Sequence, residues 1–128
     1  MRCDDCPFCN ADFATSHENS VGVAFRDGFP VSQGHTLIIP KQHVDSLFEL
    51  SQKEQSVLWK LVAEVRDELA SELDPDGFNV GVNDGAAAGQ TVMHAHIHVV
   101  PRWDGDVVDP RGGVRWVIPE KACYWGDE

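Results

Sequence analysis

No stretch of this sequence approaches the ~18 consecutive apolar residues of a membrane-spanning helix. The opening residues, MRCDDCPFCNADF, also lack the apolar stretch of a secretory leader. No membrane partner is therefore expected, and the expected compartment is the cytoplasm. Positive charge is scarce as well: ten Lys and Arg stand against 21 Asp and Glu, a formal net charge of -11. Such a surface repels a phosphate backbone, which sets aside loose binding to DNA or RNA but leaves room for one local phosphate pocket. Cysteine is sparse too. Three of the four fall within Cys3 to Cys9, a crowding that favours metal or thiol chemistry over a pair of disulfides. Internal repeats and low-complexity tracts are absent. With 128 residues the chain can build one hydrophobic core and not two. The expected organisation is a single domain, 1–128, with an N-terminal extension over 1–12, a core over 13–104 and a tail over 105–128.

The periodicities that are present suggest few elements. VGVAF (21–25) and HTLIIP (35–40) are predicted strands, separated by the turn-rich RDGFPVSQG. VDSLFEL suggests a short helical turn. One long helix is predicted from Gln52 to about Leu73, where Val57, Leu58, Leu61, Val62, Val65, Leu69 and Leu73 recur at three- and four-residue steps. Ser51 and Glu54 have capping-box spacing at its start, and Asp74-Pro75-Asp76-Gly77 ends it. FNVGVN (78–83) is the next predicted strand, with Phe78, Val80 and Val82 on one side.

Several strands supported by one helix, with short connections, imply an α+β fold built on an antiparallel sheet. A homodimer is expected, because such a sheet leaves an edge and a helix stripe for a second copy; the Leu58–Leu61–Val65 stripe is the candidate interface, unless it covers its own sheet. The tail carries Trp116, Tyr124 and Trp125 and is expected to pack back. Cys123 is expected to be a small packed hydrophobe.

Three of the chain's six histidines stand at alternate positions in HAHIHVVPR (94–102). On a strand, His94, His96 and His98 would share a face at roughly 6–7 Å spacing, with Ala95, Ile97 and Val99 turned to the core. Isolated strand histidines are usually half-buried and bonded to backbone, but three in register leave many ring nitrogens needing partners. A metal site, an acid/base set and a nucleophile with phosphate-binding neighbours all fit that pattern.

The spacing of Cys6 and Cys9 in CPFC suits a metal, and IIPKQH places His43 just beyond a strand. With His94 turned to that corner, Cys6, Cys9, His43 and His94 would form a closed, structural Cys2His2 site for Zn2+. A redox C-x-x-C pair and plain thiols remain alternatives, and Cys3 with Cys6 offers a second sulfur register.

GQTVMHAHIHVVPR resembles the signature of the histidine triad family of nucleotide hydrolases and transferases. CPFC, GHTLIIPKQH and VNDG follow that family's order, so the likeness spans about residues 6 to 104, and it is greatest to zinc-containing bacterial members. The resemblance implies a purine nucleotide substrate and a covalent nucleotidyl intermediate on His96, formed at the α-phosphorus of a phosphate ester, anhydride or phosphoramidate. It implies phosphate-pocket roles for His98 and His35, an orienting role for His94, and zinc on Cys6, Cys9, His43 and His94. Asn83, Gln90 and Thr91 correspond to the phosphate-side residues, and Asp27 to a ribose contact; NDG, GQT and RDG are also ordinary turn formers. Phe25 and Leu37 are candidates to flank the base.

Adenosine phosphoramidates and dinucleoside polyphosphates both remain open as substrates. So do a phosphorylase, in which phosphate replaces water, a non-catalytic nucleotide-binding regulator, and a zinc-stapled interaction module. Arg111 and Arg115 of the tail are candidates to reach a polyphosphate.

Overall fold

Alternating apolar residues and a single long amphipathic segment fold into a sheet covered on one face by a helix. The computed structural model describes residues 6–10 and 14–126. Cys3, and much of the proposed 1–12 extension, lie outside the described residues. Strands β1 (Thr15–Glu18), β2 (Gly22–Arg26), β3 (Thr36–Pro40), β4 (Gly77–Val82) and β5 (Ile97–Arg102) form one antiparallel sheet in the order β1-β2-β3-β5-β4. Helix α1 is the single turn Pro7–Asn10, α2 runs from Gln52 to Leu73, and α3 is a short turn at Pro119–Ala122. This is the α+β architecture expected from the sequence.

Helix α2 forms where its signals lie. The Ser51 hydroxyl accepts from the Glu54 N–H at 3.1 Å and the Glu54 carboxylate accepts from the Ser51 N–H at 2.9 Å, so both partners of the capping box are engaged. The helix stops at Asp74, which takes a left-handed conformation (φ 49°) while its N–H bonds Ala70 O. Its apolar stripe, Leu58, Leu61, Val62, Val65 and Leu69, packs on Ala24, Ile38, Ile97 and Val99 of the sheet. Leu61 and Val65 are fully buried there. The stripe therefore covers its own sheet, and the expectation that Leu58, Leu61 and Val65 meet a second copy is corrected. One stripe can face one surface, and here that surface is the helix's own sheet; of the large apolar side chains of α2, Trp59 stays exposed outside it. Contact is close enough that a Cβ at Gly22 would lie 2.4 Å from Leu58 Cδ1 and 2.8 Å from Ile39 O, so only glycine fits at that crossing.

Other expectations need adjustment. Strand β1 was not foreseen: TSHE is four residues long, polar and mostly exposed, and it pairs with β2 through an irregular register. The histidine strand begins only at Ile97. Before it, Ala95 donates to Val44 O at 2.7 Å and not to a neighbouring strand, although Ala95, Ile97 and Val99 do enter the core. VDSLFEL yields a 3-10 turn at Leu47–Glu49, closed by its own capping box from Ser46 and Glu49. Of the three apolar residues expected on one side of β4, Phe78 and Val82 reach the core while Val80 stays partly exposed.

The tail folds largely on itself. The Arg111 guanidinium lies over the Trp125 ring, that of Arg115 over Tyr124, and the Trp116 indole N–H donates to Arg111 O. Cys123 is exposed, not packed: the Ala122 beside it takes the buried place in this turn, and the thiol is turned outward toward Gly126 O.

Candidate functional site

The sheet face opposite α2 carries the chemistry. Helix α1 sits against it through Phe8, whose ring meets Phe25, His94 and His96 edge-on at centroid distances of 5.6, 5.9 and 5.1 Å. Phe25, Leu37 and Ile39 form a small apolar cluster with Phe8 and Val23 on this face. The candidates Phe25 and Leu37 are therefore part of an apolar floor beside the histidines. Phe8 was missed; its place between the two cysteines of CPFC was the available signal.

Ring-nitrogen roles follow from what each partner can do. A carbonyl oxygen only accepts, so His96 Nδ1, 2.8 Å from His94 O, carries the proton and donates it. The neutral ring then has its lone pair on Nε2. His94 Nε2 likewise donates to Pro40 O at 2.8 Å, leaving its Nδ1 lone pair for the cysteine side.

His35 reads the other way. Val31 N–H donates to His35 Nδ1 at 3.1 Å, so the proton of neutral His35 is on Nε2. That nitrogen is 3.0 Å from His98 Nδ1 and 3.4 Å from Asp27 Oδ2. His98 thus accepts at Nδ1 and presents an N–H at Nε2, a donor suited to a phosphoryl oxygen. Burial holds both rings neutral: it lowers the pKa of His35 against the pull of Asp27, and lowers that of His98 with help from His96 and His35. Local structure sets these contacts. Asp27 and His35 flank the β2–β3 connection just beyond the Arg26–Thr36 pair, and His98 stands opposite Leu37 in register. Asp27 also accepts from Phe29 N–H through Oδ1, the turn bond expected of RDG.

Cys6, Cys9, His43 and His94 converge, with their four donor atoms all within 4.8 Å of one another. Cys6 Sγ and Cys9 Sγ lie 3.3 and 3.6 Å from His94 Nδ1, and Cys9 Sγ lies 3.3 Å from His43 Nδ1. Sulfur-to-nitrogen edges of a tetrahedral zinc site are about 3.6 Å by the usual Zn–S and Zn–N lengths, so the donor set fits zinc. Cys9 N–H also points to Cys6 Sγ at 3.4 Å. Burial raises the Cys6 thiol pKa, the reverse of what a reactive redox thiol requires.

The loop residues separate. Gln90 is buried and its amide is fully engaged: Nε2 donates to Asp45 O and Val92 O, while the oxygen accepts from Gly85 N–H. It braces the loop and offers this face no free atom. Thr91 is exposed beside it. Asn83 stands at the end of β4 and lines, with His98, a cavity of about 540 Å³ that the tail walls on its far side. Arg111 and Arg115 do not reach toward it with free donors: Arg111 pairs with Asp109 at 3.1 Å, and Arg115 donates to Ala122 O and Lys121 O.

The chain is similar to known proteins over most of its length. Residues 12–105 match the HIT domain family. An uncharacterised HIT-like protein of Mycoplasma genitalium is 42% identical over 87 residues, which are 68% of this chain and 62% of that protein. This chain therefore spans about three fifths of that relative. An adenosine 5'-monophosphoramidase of Schizosaccharomyces pombe is 34% identical over 134 residues, covering 100% of this chain and 96% of its own. Among solved structures, a Zn-bound histidine triad family protein from Mycobacterium smegmatis superposes with a TM-score of 0.74 at 33% identity, covering 82% of this chain and 80% of that one.

Proposed function

This chain belongs to the HIT domain family, and on that premise we propose that it is a nucleotide hydrolase. It acts at the α-phosphorus of an adenosine phosphoramidate or a dinucleoside polyphosphate through a covalent bond to His96. The observation that supports this reading is the His96 Nδ1–H held on His94 O, which leaves the lone pair of the neutral ring on Nε2 to serve as the nucleophile. In the first step Nε2 bonds to phosphorus, the leaving group departs, and its atom takes a proton from solvent. In the second, water attacks phosphorus, the P–N bond to His96 breaks, nucleoside monophosphate leaves, and the proton returns to solvent. His98 Nε2–H, backed by His35, hydrogen-bonds the phosphoryl oxygens as charge moves onto them. Asn83 contributes its amide from β4 and Thr91 its hydroxyl from the loop, while Gln90 supports that loop. Asp27 accepts from the ribose hydroxyls, and the Phe8–Phe25–Leu37 floor takes the base.

Zinc on Cys6, Cys9, His43 and His94 is a structural staple in this reading, joining α1 to the site without an open coordination position. Two chains pair through the β4 edge of the sheet, with the exposed Trp59 of α2 available to the contact; the setting is the cytoplasm.

Product analysis tests the reaction. Incubation with adenosine phosphoramidate should release AMP steadily in excess of enzyme. Tight binding without turnover would make the protein a regulator instead, and release of ADP in the presence of phosphate would make it a phosphorylase.

A further inference from the structure

Phe8 stands between the two cysteines of CPFC in sequence and between two sites in space. Cys6 and Cys9 on either side of it reach His94 Nδ1 at 3.3 and 3.6 Å, and Cys9 also reaches His43 Nδ1 at 3.3 Å. Its own ring meets His94 at a centroid distance of 5.9 Å on the metal side, and His96 at 5.1 Å and Phe25 at 5.6 Å on the other. The Phe8 and His96 planes stand 86° apart. An edge-on contact near a right angle favours one orientation of the imidazole, and it bears on the same ring whose Nδ1–H is held by His94 O.

Helix α1 cannot hold that ring in place by itself. It is a single turn of four residues, with neither an acidic side chain in its first turn nor a basic one in its last. A turn this short is not stable in water, because its few backbone hydrogen bonds do not offset the ordering of the chain. Its place on the sheet therefore depends on what its side chains meet. Cys6 and Cys9 are buried where they face His43 and His94, partners 34 to 88 positions away in sequence. A metal held by these four donors ties α1 to two distant segments at once and fixes Phe8 with it.

We propose that Phe8 couples the metal corner to the nucleotide: zinc on the four donors holds the Phe8 ring against His96 and Phe25, and through that ring nucleotide affinity depends on metal content. The coupling rests on the nucleotide reading of this face and on the zinc reading of the corner. With α1 in place, Phe8 closes the end of the Phe25–Leu37–Ile39 cluster, and a nucleotide meets a preformed wall. With α1 released, the wall has to be reassembled on binding, and that ordering lowers the affinity. Linkage then requires the nucleotide to tighten the metal by the same factor. The staple in this way regulates the site as well as stabilising the fold.

The test measures binding to the full chain, with AMP and zinc as the two ligands. In calorimetric titration, AMP should bind zinc-loaded wild type about tenfold or more tighter than chelator-stripped protein, within the range usual for coupled sites. Competition against a chromophoric chelator should show AMP raising zinc affinity by the same factor. Phe8→Ala should still take up zinc, yet its AMP affinity should change by no more than about twofold between the two forms, and Phe8→Tyr should restore most of the coupling. Equal AMP affinity of wild type with and without zinc overturns the coupling and leaves the nucleotide reading standing. Full coupling in Phe8→Ala overturns it too, since the link would then run through general unfolding of the metal-free chain. Loss of zinc from Phe8→Ala without nucleotide would make the ring part of the metal corner's own packing, and overturn it as the link. If zinc-loaded wild type binds no AMP, the nucleotide reading falls and the coupling with it; if wild type takes up no zinc, the staple reading falls and the coupling with it.

Discussion

The Nδ1–H of His96 donates to the carbonyl oxygen of His94 at 2.8 Å, so the residue that faces the cysteines also orients the ring two positions on. His94 makes three connections at once: backbone oxygen to His96, Nε2–H to Pro40 O, and Nδ1 toward Cys6 and Cys9. The Cys6–Cys9–His43 corner and the His96 ring are thereby separated by one residue of main chain. A division of labour among the three histidines follows, because the rings are engaged differently: His94 at both nitrogens, His96 as a donor at Nδ1, and His98 as an acceptor at Nδ1.

Zinc should be present at about one equivalent per chain, and a chelator should lower the melting temperature, since a metal bound only by the folded state stabilises it. Elemental analysis of variants tests the donor set: Cys9→Ser should lose the metal and Cys3→Ser should keep it. Loss of metal from Cys3→Ser alone would move the ligand register to Cys3 and Cys6.

Stability should fall as the pH drops below the ordinary histidine range. His35 and His98 have pKa values lowered by burial from 6.5, so below that pH the unfolded chain takes up protons that the folded chain refuses. Their contribution is complete above about pH 6.5 and is lost on acidification, by up to ~1.4 kcal/mol per pH unit for each proton. Melting temperatures between pH 7.5 and 5.5, at matched zinc content, should show a shallower slope for His98→Asn than for wild type. Equal slopes would mean that His98 already titrates normally in the folded protein.

Truncation of the α2 stripe should register in folding and not in assembly. Leu61→Ala removes a fully buried side chain and should cost about 2–5 kcal/mol in urea unfolding; Ser51→Ala, which removes the cap, should cost about 1 kcal/mol. Light scattering of wild type at micromolar concentration should give a dimer mass, and Leu61→Ala should give the same mass. A monomer at every concentration would remove the proposed β4 pairing.

Helix α2 was legible because three independent local signals agreed on it: the capping box, the 3.6-residue apolar period and the Asp-Pro stop. Ala95, Ile97 and Val99 were legible for the same reason, by their period of two. Strand β1 was not, since TSHE has neither apolar alternation nor length and exists only because β2 offers it an edge. The tautomers of His35 and His98 depend on Val31 N–H and on a contact 63 positions apart, which no local pattern encodes. Gln90 and Gly81 show the remaining limit. A polar residue in a turn reads as a ligand contact until its amide is found bonded twice within its own loop and once to Asp45 O, and a glycine on a strand reads as nothing until the cavity it lines is seen.

The nucleophile assignment is tested most directly by intact mass spectrometry of protein quenched soon after mixing with adenosine phosphoramidate. Wild type should carry an AMP adduct that peptide mapping places on His96, and it should release AMP on longer incubation. His96→Ala should retain its zinc and bind AMP, yet form no adduct and lose turnover by several orders of magnitude. An adduct on another residue, or wild-type turnover by His96→Ala, would contradict the account.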